Sequence, residues 1–381
     1  MRMPMIKAGF GLEAVVLVFF AFLFLLLTNN AYAVDPTNRL DFNGDGRADI
    51  AVYREGNQSR LTAIYYPSEW YYLDPVTGTS GGTQWGRTLD VPLPADYDGD
   101  GKTDVSIFRW FDPVAAPFDF NQIWTFGSST NQVLTVRGFG NASGRKMGRN
   151  FVMETGRSPQ KAEVGEFQRT FIPEVSTSNV QLYRYAFYYQ KAEGLVGKET
   201  LFPANAYGTY YQVPVPEDYN GDGVSEVAVF DVTNRCYHVW GRDPVTGDPT
   251  NSPLPEYCFD PGYDTPVPGD YDGNGAADYA AIKITDYNGG KLVEWKIDGI
   301  SGTPQIQLAN SSANIKPVAA DYDGDGKTDL AVVQANGTSW KWTIIKSNCS
   351  GIVCFPTTYS VDFGLITDVP LASPYFYDPW Y

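Results

Sequence analysis

Histidine is almost missing: His238 is the single one in 381 residues. That leaves little room for a His-rich metal site or for paired-imidazole acid–base chemistry. Basic residues are also scarce, 28 Lys+Arg against 44 Asp+Glu, for a formal charge of −16. A polyanion would meet net repulsion, which argues against nucleic acid or an anionic membrane as a partner. No phosphate-binding Gly-rich loop occurs, so the common signature of nucleotide chemistry is lacking. Outside the N-terminus there is no convincing 3.6-residue apolar period, which argues against a helical body. What is plentiful is aromatic residues at 15%, with 38 Gly and 26 Pro. That is the material of a sizeable core between many turns.

One apolar run is long. Arg2 and Lys7 precede it, Ala14–Leu27 is unbroken, and Ala31-Tyr32-Ala33 follows. This order is that of a secretory signal peptide cleaved after Ala33. The run has 14 residues, short of the ~20 that span a bilayer. The expected organisation is therefore residues 1–33 as signal and 34–381 as exported body, with no membrane span after cleavage. The destination is extracytoplasmic: secreted, periplasmic or cell-surface. Cleavage removes Arg2, Lys7 and Glu13, two positive charges and one negative, and leaves the mature chain at −17. All four cysteines, Cys236, Cys258, Cys349 and Cys354, lie in the exported part. An even count in an oxidising compartment indicates two disulfides. Three connectivities exist, and the sequence neighbours, Cys236–Cys258 and Cys349–Cys354, are favoured. A four-thiolate zinc site is the alternative, but neither pair has Cys-x-x-Cys spacing.

The chain repeats one phrase. DFNGDGRAD at Asp41–Asp49 returns as DYDGDGKTD at Asp96–Asp104, DYNGDGVSE at Asp218–Glu226, DYDGNGAAD at Asp270–Asp278 and DYDGDGKTD at Asp321–Asp329. Each runs straight into a short apolar stretch: IAVYR, VSIFR, VAVFD, YAAIK and LAVVQ. A sixth, degraded copy lies at Lys161–Gln168, with Glu163 in the place of Asp104, and residues Asn150–Gln160 upstream of it lack the Asp ladder. The seventh loop position falls at 47, 102, 161, 224, 276 and 327. Those spacings suit one supersecondary unit of about four strands. The leads before the loops carry proline, as in Val91-Pro-Leu-Pro94 and Val213-Pro-Val-Pro216. Unit one lacks such a lead, whereas Phe363-Gly364 and Asp368-Val-Pro370 form a lead with no loop after it. A ring closed by its two termini requires that arrangement. The expectation is an all-β propeller of about six four-stranded blades, with seven as the alternative count.

The loop is built for a hard cation. Positions one, three, five and nine bear oxygen: Asp41, Asn43, Asp45 and Asp49; Asp96, Asp98, Asp100 and Asp104; Asp218, Asn220, Asp222 and Glu226; Asp270, Asp272, Asn274 and Asp278; Asp321, Asp323, Asp325 and Asp329. Position seven varies among Arg47, Lys102, Val224, Ala276 and Lys327, as expected if it lends only its carbonyl. Oxygen ligands on a flexible loop suit Ca²⁺ better than Mg²⁺, so up to five calcium ions are expected, one per intact loop. An EF-hand begins the same way but fails at position twelve. There a bidentate Glu is needed, and Val52, Ile107, Val229, Ala281 and Val332 stand. The residues after the loop are also strand-like, not helical.

These loops, with their Pro-containing leads and trailing apolar strands, resemble the FG-GAP/VCBS repeats of integrin-α-like propellers. The resemblance implies a toroid of four-stranded blades, with the loop residues named above as metal ligands. Function on such a fold is open. The favoured reading is an extracellular binding or adhesion module for a carbohydrate or protein ligand. The alternatives are a secreted carbohydrate-active enzyme of the polysaccharide-lyase kind and a purely structural surface protein. Aromatic runs at Glu69–Tyr72, Tyr183–Tyr189 and Tyr375–Tyr381 could stack on sugars, though packing between strands is their commoner use. His238 is expected to be a satisfied or surface residue. Oligomeric state is not legible.

Overall fold

The trailing strands set the architecture. In the computed structural model, Ile50–Arg54 is buried at four of five positions, Val227–Asp231 at all five, and Leu330–Asn336 at six of seven. Continuous burial, with no alternation, is what a strand covered on both faces needs. The structure describes residues 40–56, 66–88, 90–97, 99–109, 212–242, 249–309, 314–347 and 358–371, with the strand backbones between 123 and 208.

Each trailing strand lies inside its own antiparallel sheet, and there are six sheets among the described residues. The first contains Ile50–Arg54, Pro67–Leu73 and Ser80–Arg87, with Val369–Pro370 from the far end of the chain on its edge. The second is Val91–Pro92, Val105–Arg109, Ile123–Gly127 and Val133–Arg137. The fifth is Thr265–Pro266, Ala280–Tyr287, Gly290–Ile297 and Gln305–Leu308, and the sixth is Ile315–Pro317, Leu330–Asn336, Ser339–Ile345 and Thr358–Leu365. No helix occurs among the described residues, and no helix is long and apolar enough to cross a membrane.

The expectation of uniform four-stranded blades, six or seven of them, needs correction: four sheets keep that form. The third and fourth have five strands because the outer strand is interrupted. Lys198–Leu201 and Tyr207–Gly208 both pair with Tyr183–Lys191, and Pro249–Pro253 and Tyr257–Cys258 both pair with Cys236–Arg242. In the third sheet the degraded copy still makes a trailing strand, Glu163–Phe171, between Arg145–Gly148 and Tyr183–Lys191. Its loop, Asn150–Gln160, lies outside the described residues.

Among the described residues, core clusters join the fourth sheet to the fifth, the fifth to the sixth and the sixth to the first, the arrangement of a β-propeller. Ala228, Phe230 and Tyr237 of the fourth sheet pack with Ala281 of the fifth. Ile282 and Trp295 of the fifth meet Leu330 and Val332 of the sixth. Val333 and Trp342 of the sixth share a cluster with Ile50, Trp70 and, from the second sheet, Ile107. The last sheet thus packs on the first.

Position twelve, which excludes the EF-hand, has a structural task. Ile107, Val229, Ala281 and Val332 each face a lead proline across the strands: Pro92, Pro214, Pro266 and Pro317. Proline is tolerated there because the lead is an edge strand. Val52 faces Pro370 in the same way, so the C-terminal lead does for unit one what the internal leads do for theirs. Arg54 secures the join, its Nε and Nη2 each 2.9 Å from the carboxylate of Asp368, just before the last strand. That carboxylate also accepts the Leu365 N–H, and the Asp368 carbonyl accepts Trp340 Nε1.

The cysteines divide. Cys236 and Cys258 stand opposite one another on paired strands and are bonded, as the sequence spacing leads one to expect. Cys349 and Cys354 lie outside the described residues. Of the aromatic runs, Trp70 is core: it is buried, edge-on to Tyr53 at 5.2 Å, and donates to the Trp85 carbonyl. Tyr375–Tyr381 is outside the described residues. His238 lies half-buried, with Nδ1 3.6 Å from Glu256 and its ring beside Trp240. Asp74 closes the Asp-Pro-Val-Thr-Gly turn by accepting the N–H groups of Val76 and Thr77. The same five residues recur in sequence at Asp243–Gly247, outside the described residues.

Candidate metal centres

One hydrogen-bond scheme recurs in every loop. The first Asp turns back on the chain: Asp41, Asp218, Asp270 and Asp321 each accept the N–H groups of positions four, five and six, within 2.5–3.3 Å. Asp96 accepts those of Gly99 and Gly101. The ninth-position carboxylate accepts the N–H of position two: Asp49 from Phe42, Asp104 from Tyr97, Glu226 from Tyr219, Asp278 from Tyr271 and Asp329 from Tyr322. The fifth-position oxygen accepts the N–H of position seven, from Asp45 to Asp325 alike. The curl needs left-handed backbone at positions four and six. All ten glycines there have φ between 76° and 88°, where a Cβ would be strained.

The curl gathers the side chains. Carboxylate oxygens of Asp270, Asp272 and Asp278 lie within 4.8 Å of one another, as do those of Asp321, Asp323 and Asp325. Where position three is Asn, its amide bridges to position nine: Asn43 Nδ2 to Asp49 at 3.2 Å and Asn220 Nδ2 to Glu226 at 2.6 Å. Turned about, that amide presents its oxygen to the same point. Asp98 lies outside the described residues, so the third position of the 96 loop is undescribed. Burial, and secondarily the neighbouring like charges, push the carboxyls of Asp49, Asp278 and Asp329 up to about 7. Burial also raises Asp41, Asp218, Asp270 and Asp323. An all-oxygen, carboxylate-rich donor set on a curled loop fits a hard cation of Ca²⁺ type. Such a cation would relieve the crowding of charge by neutralising it.

Two loop roles are not visible in single-loop reasoning. The aromatic at position two is a plug: the hydroxyls of Tyr97, Tyr219, Tyr271 and Tyr322 each donate to the carbonyl four residues upstream, within 2.6–3.1 Å. Phe42 lacks the hydroxyl and instead stacks on Tyr72 at 5.4 Å. The recurrence of Tyr in four of the five loops was the signal. The second role is lateral. The N–H of position eight donates to the first-position carbonyl of the preceding loop: Thr103 to Asp41, Ala277 to Asp218 and Thr328 to Asp270, within 2.6–2.7 Å. Ala48 donates to Asp321 at 2.7 Å, so the same link runs from the first loop to the last.

No curated protein matches this chain. A family model for the FG-GAP-like repeat matches residues 41–107 and 270–332. Each matched span holds two of the loops and ends in the strand after the second, and the 218 loop between the spans keeps the same hydrogen bonds. The chain carries FG-GAP-like repeats over these two spans.

Proposed function

We propose that this chain is an exported, calcium-binding propeller that serves as an extracellular binding or adhesion module for a carbohydrate or protein ligand. The observation that carries the reading is the fivefold return of one curled, oxygen-lined loop in a single phase. The first, third, fifth and ninth residues of each loop, with the seventh carbonyl, would hold one ion, up to five in all. Bound calcium supplies fixed positive charge and no redox chemistry. The chain's own residues position the oxygens, chiefly through the glycine turns and the tyrosine plug. Export after cleavage at Ala33 is supported by the N-terminal sequence and by the Cys236–Cys258 bond, which persists in oxidising compartments. A ring of six units, closed through the chain ends, is supported by the Val52–Pro370 pairing and the Ala48–Asp321 hydrogen bond.

The test is a screen of glycans and matrix proteins against the mature chain, with and without Ca²⁺. Saturable binding that weakens on chelation is the expected result. Breakdown of a polysaccharide in the same samples would overturn the non-enzymatic reading.

A further inference from the structure

The seventh loop residue leaves its own loop. A Cβ placed on Gly44 would meet Lys102 Cε at 2.5 Å, and one on Gly273 would meet Lys327 Cε at 2.9 Å. On Gly324 it would meet Arg47 Cγ at 2.8 Å, and on Gly221 Ala276 Cβ at 3.5 Å. In all four cases the side chain at position seven lies across the fourth-position glycine of the preceding loop. That glycine therefore serves two ends, the left-handed turn and the space for a neighbour. The eighth-position hydrogen bonds hold this register, so the overlap is a fixed feature of the ring and not a chance surface contact.

The charge of these residues differs. Lys102 lies over the 41 loop, Lys327 over the 270 loop and Arg47 over the 321 loop, whereas the 218 loop receives only the methyl of Ala276. The Arg47 guanidinium is drawn back to Asp45 and Asp74, at 2.5 and 3.3 Å, which offsets part of its field. A cation over the glycine turn repels a divalent ion in the loop beneath it. We propose that the seventh-position residue of each loop sets the calcium affinity of the loop before it. Lysine at that position weakens the neighbour, and alanine at 276 leaves the 218 loop unopposed. The inference rests on the calcium reading and deepens it. Position seven would serve two sites, lending its carbonyl to its own loop and its charge to the one before.

Calorimetric titration of the purified mature chain with Ca²⁺ tests this. Ala276→Lys should weaken one site by roughly three- to tenfold, the scale of a unit charge near a divalent ion in a wet environment. Ala276→Gln, similar in reach but neutral, should leave the affinities unchanged. Asp222→Ala should remove one site and, with it, the effect of Ala276→Lys. Lys327→Gln, which takes away a charge without adding bulk, should tighten one site by a similar factor. Equal weakening by the Lys and Gln variants, no change with Ala276→Lys and Lys327→Gln, or an Ala276→Lys effect that survives Asp222→Ala would overturn the inference. No uptake of calcium by the unsubstituted chain would overturn the calcium reading, and this inference with it.

Discussion

Chelation of calcium should lower the melting temperature of the chain from residue 34 onward by roughly 10 °C. The size follows from mass action. A loop held at tenfold above its dissociation constant contributes about 1.4 kcal/mol, so five filled loops contribute about 7 kcal/mol. The effect reaches beyond the loops because each is tied to the next sheet. The ninth residue leads into the buried trailing strand, the tyrosine plug joins loop to lead, and the eighth N–H joins loop to loop. Without the cation, Asp49, Asp278 and Asp329 are buried carboxyls crowded by their own kind. Scanning fluorimetry with EDTA, followed by re-addition of Ca²⁺, should show the loss and its recovery. An unchanged melt would mean that any bound ion is incidental to stability.

Arg54→Ala should destabilise the protein by about 3 kcal/mol, the low end for breaking a buried ion pair. The low end applies because the two partners are unequally placed. The Asp368 side chain is fully buried, whereas the Arg54 side chain is 34% exposed and also contacts Glu69 and the ring of Tyr71. Removing the arginine strands a carboxylate that still accepts the Leu365 N–H. Asp368→Asn should cost less, since the guanidinium can return to water. Chemical denaturation of the two variants checks the order; a larger loss for Asp368→Asn would contradict it. The asymmetry matters because this pair holds the C-terminal lead against the first trailing strand.

Much of this was legible in the chain itself, for a definite reason. A repeat announces whatever recurs within a unit, so the loop ligands, the trailing strands at Ile50, Val105, Val227 and Leu330, and the unpaired lead at Asp368–Pro370 could be read from phase alone. The Cys236–Cys258 bond followed from proximity in sequence. What the pattern does not carry is lateral contact. Position seven looks free to vary because its side chain lies across another unit's glycine. The hydrogen bond from Ala48 to Asp321 joins residues at opposite ends of the described chain. Broken outer strands in the third and fourth sheets also escape a reading built on loop phase, which carries no information on the strands between the loops.

The acidity that first argued about partners acquires a location. The five loops hold 17 carboxylates, equal in size to the net charge of residues 34–381. Five Ca²⁺ ions would bring that charge to −7. Filling the loops would thus change how the surface meets any ligand, which is why the screen must be run in both states.

Counting the ions is the most direct test. Native mass spectrometry of the mature chain, exchanged into a Ca²⁺-containing volatile buffer, should show species with up to five bound calcium ions, and one fewer after Asp325→Ala. A chain that carries none, with its loops intact, would contradict the account.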